Sequence, residues 1–350
     1  MSSTPHAAGI KALGPDELER LVSAHGQPRF RADQIAHWLY GRGATDWSEM
    51  TDLPRGLRDE LARSHPLTTL EQVDRRVSDL DGTRKYLWRL ADGTSVESVG
   101  IPTADRLTVC FSTQAGCAMG CAFCATGREG LSRSLAPGEM VDQVRLVGAD
   151  FGRRVTNAVA MGQGEPFANY DATLGALRFM NSPRGLGIGA RHLTVSTCGL
   201  LPSIRRFSHE PEQFTLAVSL HSAVQSTRDA LMPGVRNAPL EALRTTVREY
   251  TDATGRRVTF EYALIAGVND TAEEIRALTA FCRGLLCHVN LIPMNPVTDS
   301  GLGASAPDIA AAVAHTLAHE GVEVSVRAER GADIEAACGQ LKQLHAEDPP

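Results

Sequence analysis

The chain has 350 residues, 43% of them hydrophobic, with 32 Gly, 18 Pro, eight Cys and a formal charge of −6. That is ordinary globular composition, long enough for one large domain and a small accessory one. No apolar run reaches membrane-spanning length, and the net negative charge does not advertise nucleic-acid binding. The charge is uneven, however: residues 271–350 carry 11 acidic and five basic side chains, and 111–210 carry ten basic and seven acidic. The opening MSSTPHAAGIKALGPDELERL lacks a charged-then-apolar signal, which predicts a cytoplasmic protein. In a reducing compartment cysteines serve as metal ligands, reactive thiols or small buried hydrophobes rather than as structural disulfides.

Residues 1–13 read as a flexible leader. PDELERLVSAHG, RADQIAHWLYGRG and LPRGLRDELARSH then predict three short amphipathic helices separated by Gly and Pro, giving a helical accessory unit over 1–82. Arg42, Arg55, Arg58 and Arg63 accompany Trp38, Tyr40 and Trp47 there. Two readings fit: a module touching nucleic-acid backbone, or a solvated helical surface over an aromatic mini-core. KYLWRL and SVESVGI flank Ala91-Asp92-Gly93 and predict a β-hairpin within 83–106.

From 107 a rhythm begins. Strand-like runs occur at LTVCFS (107–112), NAVAM (157–161), HLTVS (192–196), FTLAVSL (214–220), VTFEYALI (258–265) and VNLIP (289–293). Helical stretches such as GEMVDQVRLVGAD, PLEALRTTVREYTDATG and APDIAAAVAHTLAHEG separate them. Strands alternating with helices imply a parallel sheet, and about six units rather than eight predict an α/β fold with a partial (β/α)6 barrel over 107–328. VEVSVRA (322–328) is the last strand, and a C-terminal helix is predicted from about Asp333, within a terminal segment 329–350.

Polar and Gly-containing tags follow the strands: QAGCAMGC, GQGEP (162–166), STCG (196–199), SLHS (219–222) and PMNP (293–296). In a parallel barrel these ends share one face, where such folds keep their chemistry. Cys117, Cys121 and Cys124 form CxxxCxxC. Zinc commonly takes four ligands in paired groups, and no second Cys pair or His pair follows. Three unrelated buried cysteines remain an alternative, though the spacing is dense. A four-iron cluster held by three thiolates would leave one iron open, where a substrate could bind.

CxxxCxxC with Phe123 before the last Cys resembles the radical S-adenosylmethionine enzymes. The resemblance implies one [4Fe-4S] cluster on Cys117, Cys121 and Cys124, with S-adenosylmethionine on the open iron as the source of a 5′-deoxyadenosyl radical. Glu165 of GQGEP would accept a hydrogen bond from the cofactor's ammonium end, and the glycines would let the backbone approach it.

TVCFSTQAGCAMGCAFCATG, GEP, STCG, SLHS, PMNP and RGADIEAACGQL, with MTDLP (50–54) and VESVGIP (96–102), together resemble the RlmN/Cfr family of RNA adenine methyltransferases. The resemblance spans nearly the whole chain. RlmN-type members methylate C2 of one adenosine in the peptidyl-transferase region of 23S rRNA and of an adenosine beside the anticodon in some tRNAs. It implies two S-adenosylmethionine molecules per turnover, an external electron donor, a disulfide reductant and a monomer. Cys338 would carry the methyl group, Glu97 would remove the C2 proton, and Cys110 would resolve the protein–RNA adduct through a transient disulfide with Cys338. Read alone, Cys110 is a buried strand cysteine, Cys338 packs a helix face and Glu97 is an ordinary hairpin carboxylate. Gly164, Glu165, Ser196, Ser219, Leu220, His221 and Asn295 would bind the cofactor.

Cys198, Cys282 and Cys287 lie outside these roles and are assigned packing. Gln163, Cys198 and Leu131 depart from the expected family pattern, where Met, a small residue and Phe are usual. Three other readings stand beside this one: Cfr-type methylation at C8, a radical enzyme acting on a peptide or small molecule, and a zinc-stabilised RNA-binding module.

Overall fold

A computed structural model describes residues 9–67, 70–128, 130–295 and 301–341. Pro296 of PMNP and residues 1–8 and 342–350 of the predicted ends lie outside the described residues. The N-terminal helices are α1 (Pro15–Ala24), α2 (Phe30–Ala36) and α3 (Arg55–Ser64). Glu17 starts α1 by accepting from the Gly14 backbone N–H at 2.8 Å. Leu18, Val22, Ile35, Leu39, Leu57 and Leu61 are buried in the core that continues into the main domain. Lys11 anchors this unit through a buried 2.7 Å ion pair with Asp142.

Three antiparallel strands follow, β1 (Glu71–Val77), β2 (Arg84–Arg89) and β3 (Ser95–Pro102). The β2–β3 hairpin turns through Gly93, whose φ of +87° favours glycine. β1 lies within the segment expected to be helical. It has almost no buried face, so the periodicity that betrays a strand is missing from EQVDRRV.

β3 runs antiparallel to β4 (Leu107–Cys110), and from β4 onward the sheet is parallel. The cysteine loop follows, carrying β5 (Gln114–Gly116), α4 (Ala125–Arg128) and β6 (Leu131–Ser134), with β5 and β6 paired in a small separate sheet. Next come α5 (Pro137–Phe151), β7 (Asn157–Ala160), α6 (Tyr170–Asn181), β8 (Leu193–Thr197), α7 (Leu201–Phe207) and β9 (Thr215–Ser219). The chain continues with α8 (Gln225–Leu231), α9 (Leu240–Thr254), β10 (Val258–Leu264), α10 (Ala272–Cys282), β11 (Cys287–Pro293), α11 (Pro307–His319) and β12 (Glu323–Val326).

The large sheet has ten strands in the order β1-β2-β3-β4-β7-β8-β9-β10-β11-β12. Sequential parallel neighbours joined by helices make the predicted six strand–helix units, and among the described residues no ladder joins β12 back to β1. The fold is thus a partial (β/α)6 barrel of the radical S-adenosylmethionine type, extended by antiparallel strands.

Among the described residues, which end at Leu341, the predicted C-terminal helix is not formed. Ala332–Ile334 makes one short turn, Glu335 adopts φ +53°, and Gly339 adopts φ +83°. These left-handed residues break the helical path, and Ala336 and Leu341 instead pack against Val99 and Cys110.

Candidate active site

Strand alternation separates two faces of the sheet. Val109, Val195, Val218, Phe260 and Leu291 enter the core under the helices. Their neighbours Cys110, Ser196, Ser219, Glu261 and Ile292 therefore face the other way, where they line two adjoining cavities.

The first cavity, of about 160 Å3, has Cys117, Cys121 and Cys124 in its wall, facing Gly164, Glu165, Ser196, Ser219, His221 and Asn295. The second, of about 80 Å3, is lined by Cys110, Thr126, Val99 and Ala336. Cys338, Asn295 and Arg327 line both. A much larger concavity of about 1420 Å3 opens between α1 and α6 and is lined by no thiol.

The cysteine loop is held by main-chain bonds. Cys117 N–H donates to Gly130 O at 2.7 Å, and Ala122 N–H to Leu231 O at 2.9 Å. A Cβ at Gly127 would come 2.8 Å from the Cys121 nitrogen, so only glycine lets the loop close this tightly. Burial pushes the Cys117 thiol up to about 12, and burial also raises Cys124.

Gly164 adopts φ +99°, and a Cβ there would meet Gln114 at 2.6 Å. This turn delivers Glu165 into the cavity wall. Its Oε1 accepts from Phe167 N–H at 2.9 Å and its Oε2 from Cys198 N–H at 2.7 Å. Burial still raises its pKa above the usual carboxylate value. His221 also has positive φ, and its Nδ1 accepts from Ala263 N–H at 2.9 Å. That bond leaves Nε2 carrying the proton, and burial, then the Arg228 charge, holds the ring's pKa at about 3, so it is neutral. Phe123 meets the same ring edge-on at 4.4 Å. Leu220 differs from its neighbours, because its side chain lies in the helix-side core.

Glu97 lies on β3 with the face that carries Val99 and Ile101, both in the second cavity's wall. It is buried and pairs with Lys85 at 3.3 Å. Lys85 Nζ also donates to Glu335 O at 3.2 Å, tying the hairpin to the terminal segment. The β3–β4 register sets Val99 opposite Cys110. Burial, followed by the nearby Cys338, pushes the Cys110 thiol up to about 12, while Arg327 pulls it down. The Cys338 segment docks on the cysteine loop: Ala125 N–H donates to Gly339 O at 2.8 Å, and Thr126 Oγ1 to Leu341 O at 2.6 Å.

One assignment changes, and one residue is added. Cys198, expected to be mere packing, lines the first cavity; hydrogen bonding to Cys121, then burial, pushes its thiol well up. Cys282 and Cys287 are buried in the helix-side core, as expected. Arg327, singled out by no motif, is the cation facing both Cys338 and Cys110, with Glu261 beside it. A lone Arg just past a strand gives no spacing signal. Of the other departures, Leu131 is exposed, and the buried Gln163 amide has no partner among the described residues.

Residues 111–279 match the Radical SAM superfamily, and residues 10–66 match the Ribosomal RNA large subunit methyltransferase N-terminal domain. A relative from Pelotomaculum thermopropionicum, named "Probable dual-specificity RNA methyltransferase RlmN", is 47% identical, covering 95% of this chain and 91% of its own. One of the same name from Geobacillus thermodenitrificans is 46% identical over 95% and 92%. The crystal structure of a radical SAM methyltransferase from Sphaerobacter thermophilus superposes with a TM-score of 0.88 at 47% identity, covering 95% of this chain and 99% of that one.

A radical SAM domain implies a [4Fe-4S] cluster and S-adenosylmethionine. The residues present fit that pair. Three thiols with the spacing of one short loop share a cavity wall with Gly164, Glu165 and Asn295, soft donors for iron beside polar groups for an amino-acid cofactor. Taken with the sheet order, the cysteine loop and the glycine-turned Glu165, the matches assign the molecule: the chain belongs to the RlmN family of radical SAM RNA methyltransferases.

Proposed function

We propose that this chain methylates C2 of an adenosine in the peptidyl-transferase region of 23S rRNA and of an adenosine beside the anticodon of tRNA, working as a cytoplasmic monomer. The observation that carries the reading is the position of Cys338 in the walls of both cavities, with Cys117 and Cys121 in one, Cys110 in the other and Cys124 bordering both. Cys117, Cys121 and Cys124 would hold the cluster, and Glu165, Ser196, Ser219, His221 and Asn295 would bind S-adenosylmethionine. When bound, cluster and cofactor supply a methyl cation equivalent and then, from a second cofactor molecule, a hydrogen-abstracting radical.

C2 of adenine lies between two ring nitrogens and is electron-poor, so direct displacement on a sulfonium is unsuitable there, whereas a carbon radical adds. Cys338 Sγ takes the methyl group, giving up its proton. Once that methyl has lost a hydrogen atom and bonded to C2, Cys338 is joined to the RNA through one carbon. Glu97, paired with Lys85 on the strand face that carries Val99 and Ile101, would receive the C2 proton while the adduct gives up its unpaired electron to the one-electron carrier of the site. Cys110 Sγ, having given up its proton, then attacks Cys338 Sγ, the Cys338 sulfur–carbon bond breaks, and the released carbon takes a proton to leave as the methyl group of the adenine. Arg327 opposes the burial that raises the Cys110 thiol, favouring its thiolate in the resolving step. The resulting disulfide takes two electrons from an external reductant before the next cycle. Residues 1–82, with their exposed arginines, form the accessory unit that contacts RNA in this reading.

Expression in cells lacking adenine-C2 methylation, followed by mass spectrometry of rRNA and tRNA nucleosides, tests the assignment. Restored 2-methyladenosine in both RNAs is expected; 8-methyladenosine alone would overturn it.

A further inference from the structure

Arg228 on α8 is 0% exposed, and its guanidinium has little to offset its charge. Its Nη2 donates to Cys198 O at 2.7 Å, while Nε and Nη1 are buried with no acceptor among the described residues. Asp229, next in sequence, is engaged by Gln225 at 2.7 Å. A buried cation with two idle donors is costly unless an anion stands near. α8 lies against the cysteine loop, with Ala122 N–H donating to Leu231 O at 2.9 Å and Leu231 packed with Cys121, so charge on the Cys121 sulfur would act on Arg228 together with Asp229. Arg228 is also outside the lining of the cofactor cavity, so it stands behind the cysteine wall rather than in contact with a cofactor. The backbone makes room for it: Gly199 adopts φ +102°, and a Cβ there would lie 3.2 Å from Arg228 Nη2.

We propose that Arg228 is the buried counter-charge of the iron–sulfur site, a positioning residue that makes the cluster easier to reduce. The inference rests on the reading of Cys117, Cys121 and Cys124 as cluster ligands. A four-iron core with three thiolates is a net anion, and reduction adds one more negative charge. A fixed cation behind Cys121 therefore stabilises the reduced form more than the oxidised one. Across protein interior, one such charge is worth about a factor of ten in the reduced-to-oxidised ratio, equivalent to about 59 mV for a one-electron couple.

The test is a potentiometric titration of the anaerobically reconstituted full chain, followed by electron paramagnetic resonance, with iron and sulfide measured first. Arg228→Gln keeps a polar N–H group without the charge, Arg228→Met removes both, and Arg228→Lys keeps the charge. The expected result is a reduced fraction about tenfold lower at fixed potential in the Gln and Met variants, with Lys within about twofold of the parent. If the Met variant does not fold, Gln against Lys decides. A Gln midpoint equal to the parent's, or a Lys midpoint displaced as far as Gln's, would overturn the proposal. Failure of the parent chain to take up a cluster would instead overturn the ligand reading beneath it.

Discussion

The two groups of reactive thiols are built in opposite ways. Cys117, Cys121 and Cys124 come from one short loop, closed by its own main-chain bonds and by glycine at 127. Cys110 and Cys338 come from far apart in the chain and meet only because β3, β4 and the terminal segment pack together. A local site is written in spacing, so a reader of the sequence finds it directly. A site assembled by tertiary packing is written in no spacing, and a family resemblance is needed to find it. Single side-chain substitutions should therefore separate the two by experiment.

The largest separation should come from Cys338→Ala. RNA methylation should fall below detection while iron content stays at the parental level, measured by methyl-group incorporation and iron analysis. Cys121→Ala should do the reverse to the metal, losing most of the bound iron along with activity. Cys110→Ala should leave Cys338 loaded but unresolved, so a covalent protein–RNA species should accumulate on denaturing gels; clean turnover would remove Cys110 from the mechanism. Lys85→Met withdraws the cation from Glu97 and should lower kcat by about tenfold, with KM for RNA little changed. A change confined to KM would move Lys85 from the chemistry to RNA binding.

The smallest effect concerns pH. His221 is neutral in the fold with its pKa held at about 3, whereas the unfolded ring titrates near 6.5. Below about pH 6.5 the unfolded chain binds the extra proton, so stability present above that pH is lost as pH falls toward 3. Denaturation of the parent and of His221→Asn, whose amide can still accept from Ala263 N–H, should converge by about 1.4 kcal/mol per pH unit below 6.5. Parallel pH profiles would show that the imidazole is protonated in the fold.

The parallel strands β4, β7, β8, β9, β10 and β11 are legible because each is an apolar run, all but β10 followed by a polar tag, and buried parallel strands demand such runs, whereas β5 and β6 are too short to give one. β1 is not legible, because its side chains face solvent almost throughout. The terminal segment misled for another reason. IEAACGQL has helix-like apolar spacing, yet Ala336 and Leu341 use it to cover Cys110, with positive φ at Glu335 and Gly339. Within the site, the cysteine loop and Glu165 carried recognisable patterns. Arg228, Arg327 and Cys198 did not, since each matters through a neighbour that only the folded chain supplies.

The docking of Gly339 and Leu341 onto Ala125 and Thr126 has a consequence for how the enzyme can vary. Three of these four partners contribute backbone atoms, so the span from the cysteine loop to Cys338 is a main-chain dimension. Exchanging side chains nearby alters what surrounds the gap and leaves its width alone. Widening it takes an inserted or deleted residue, which ties the reach of the Cys338 sulfur to chain length rather than to composition.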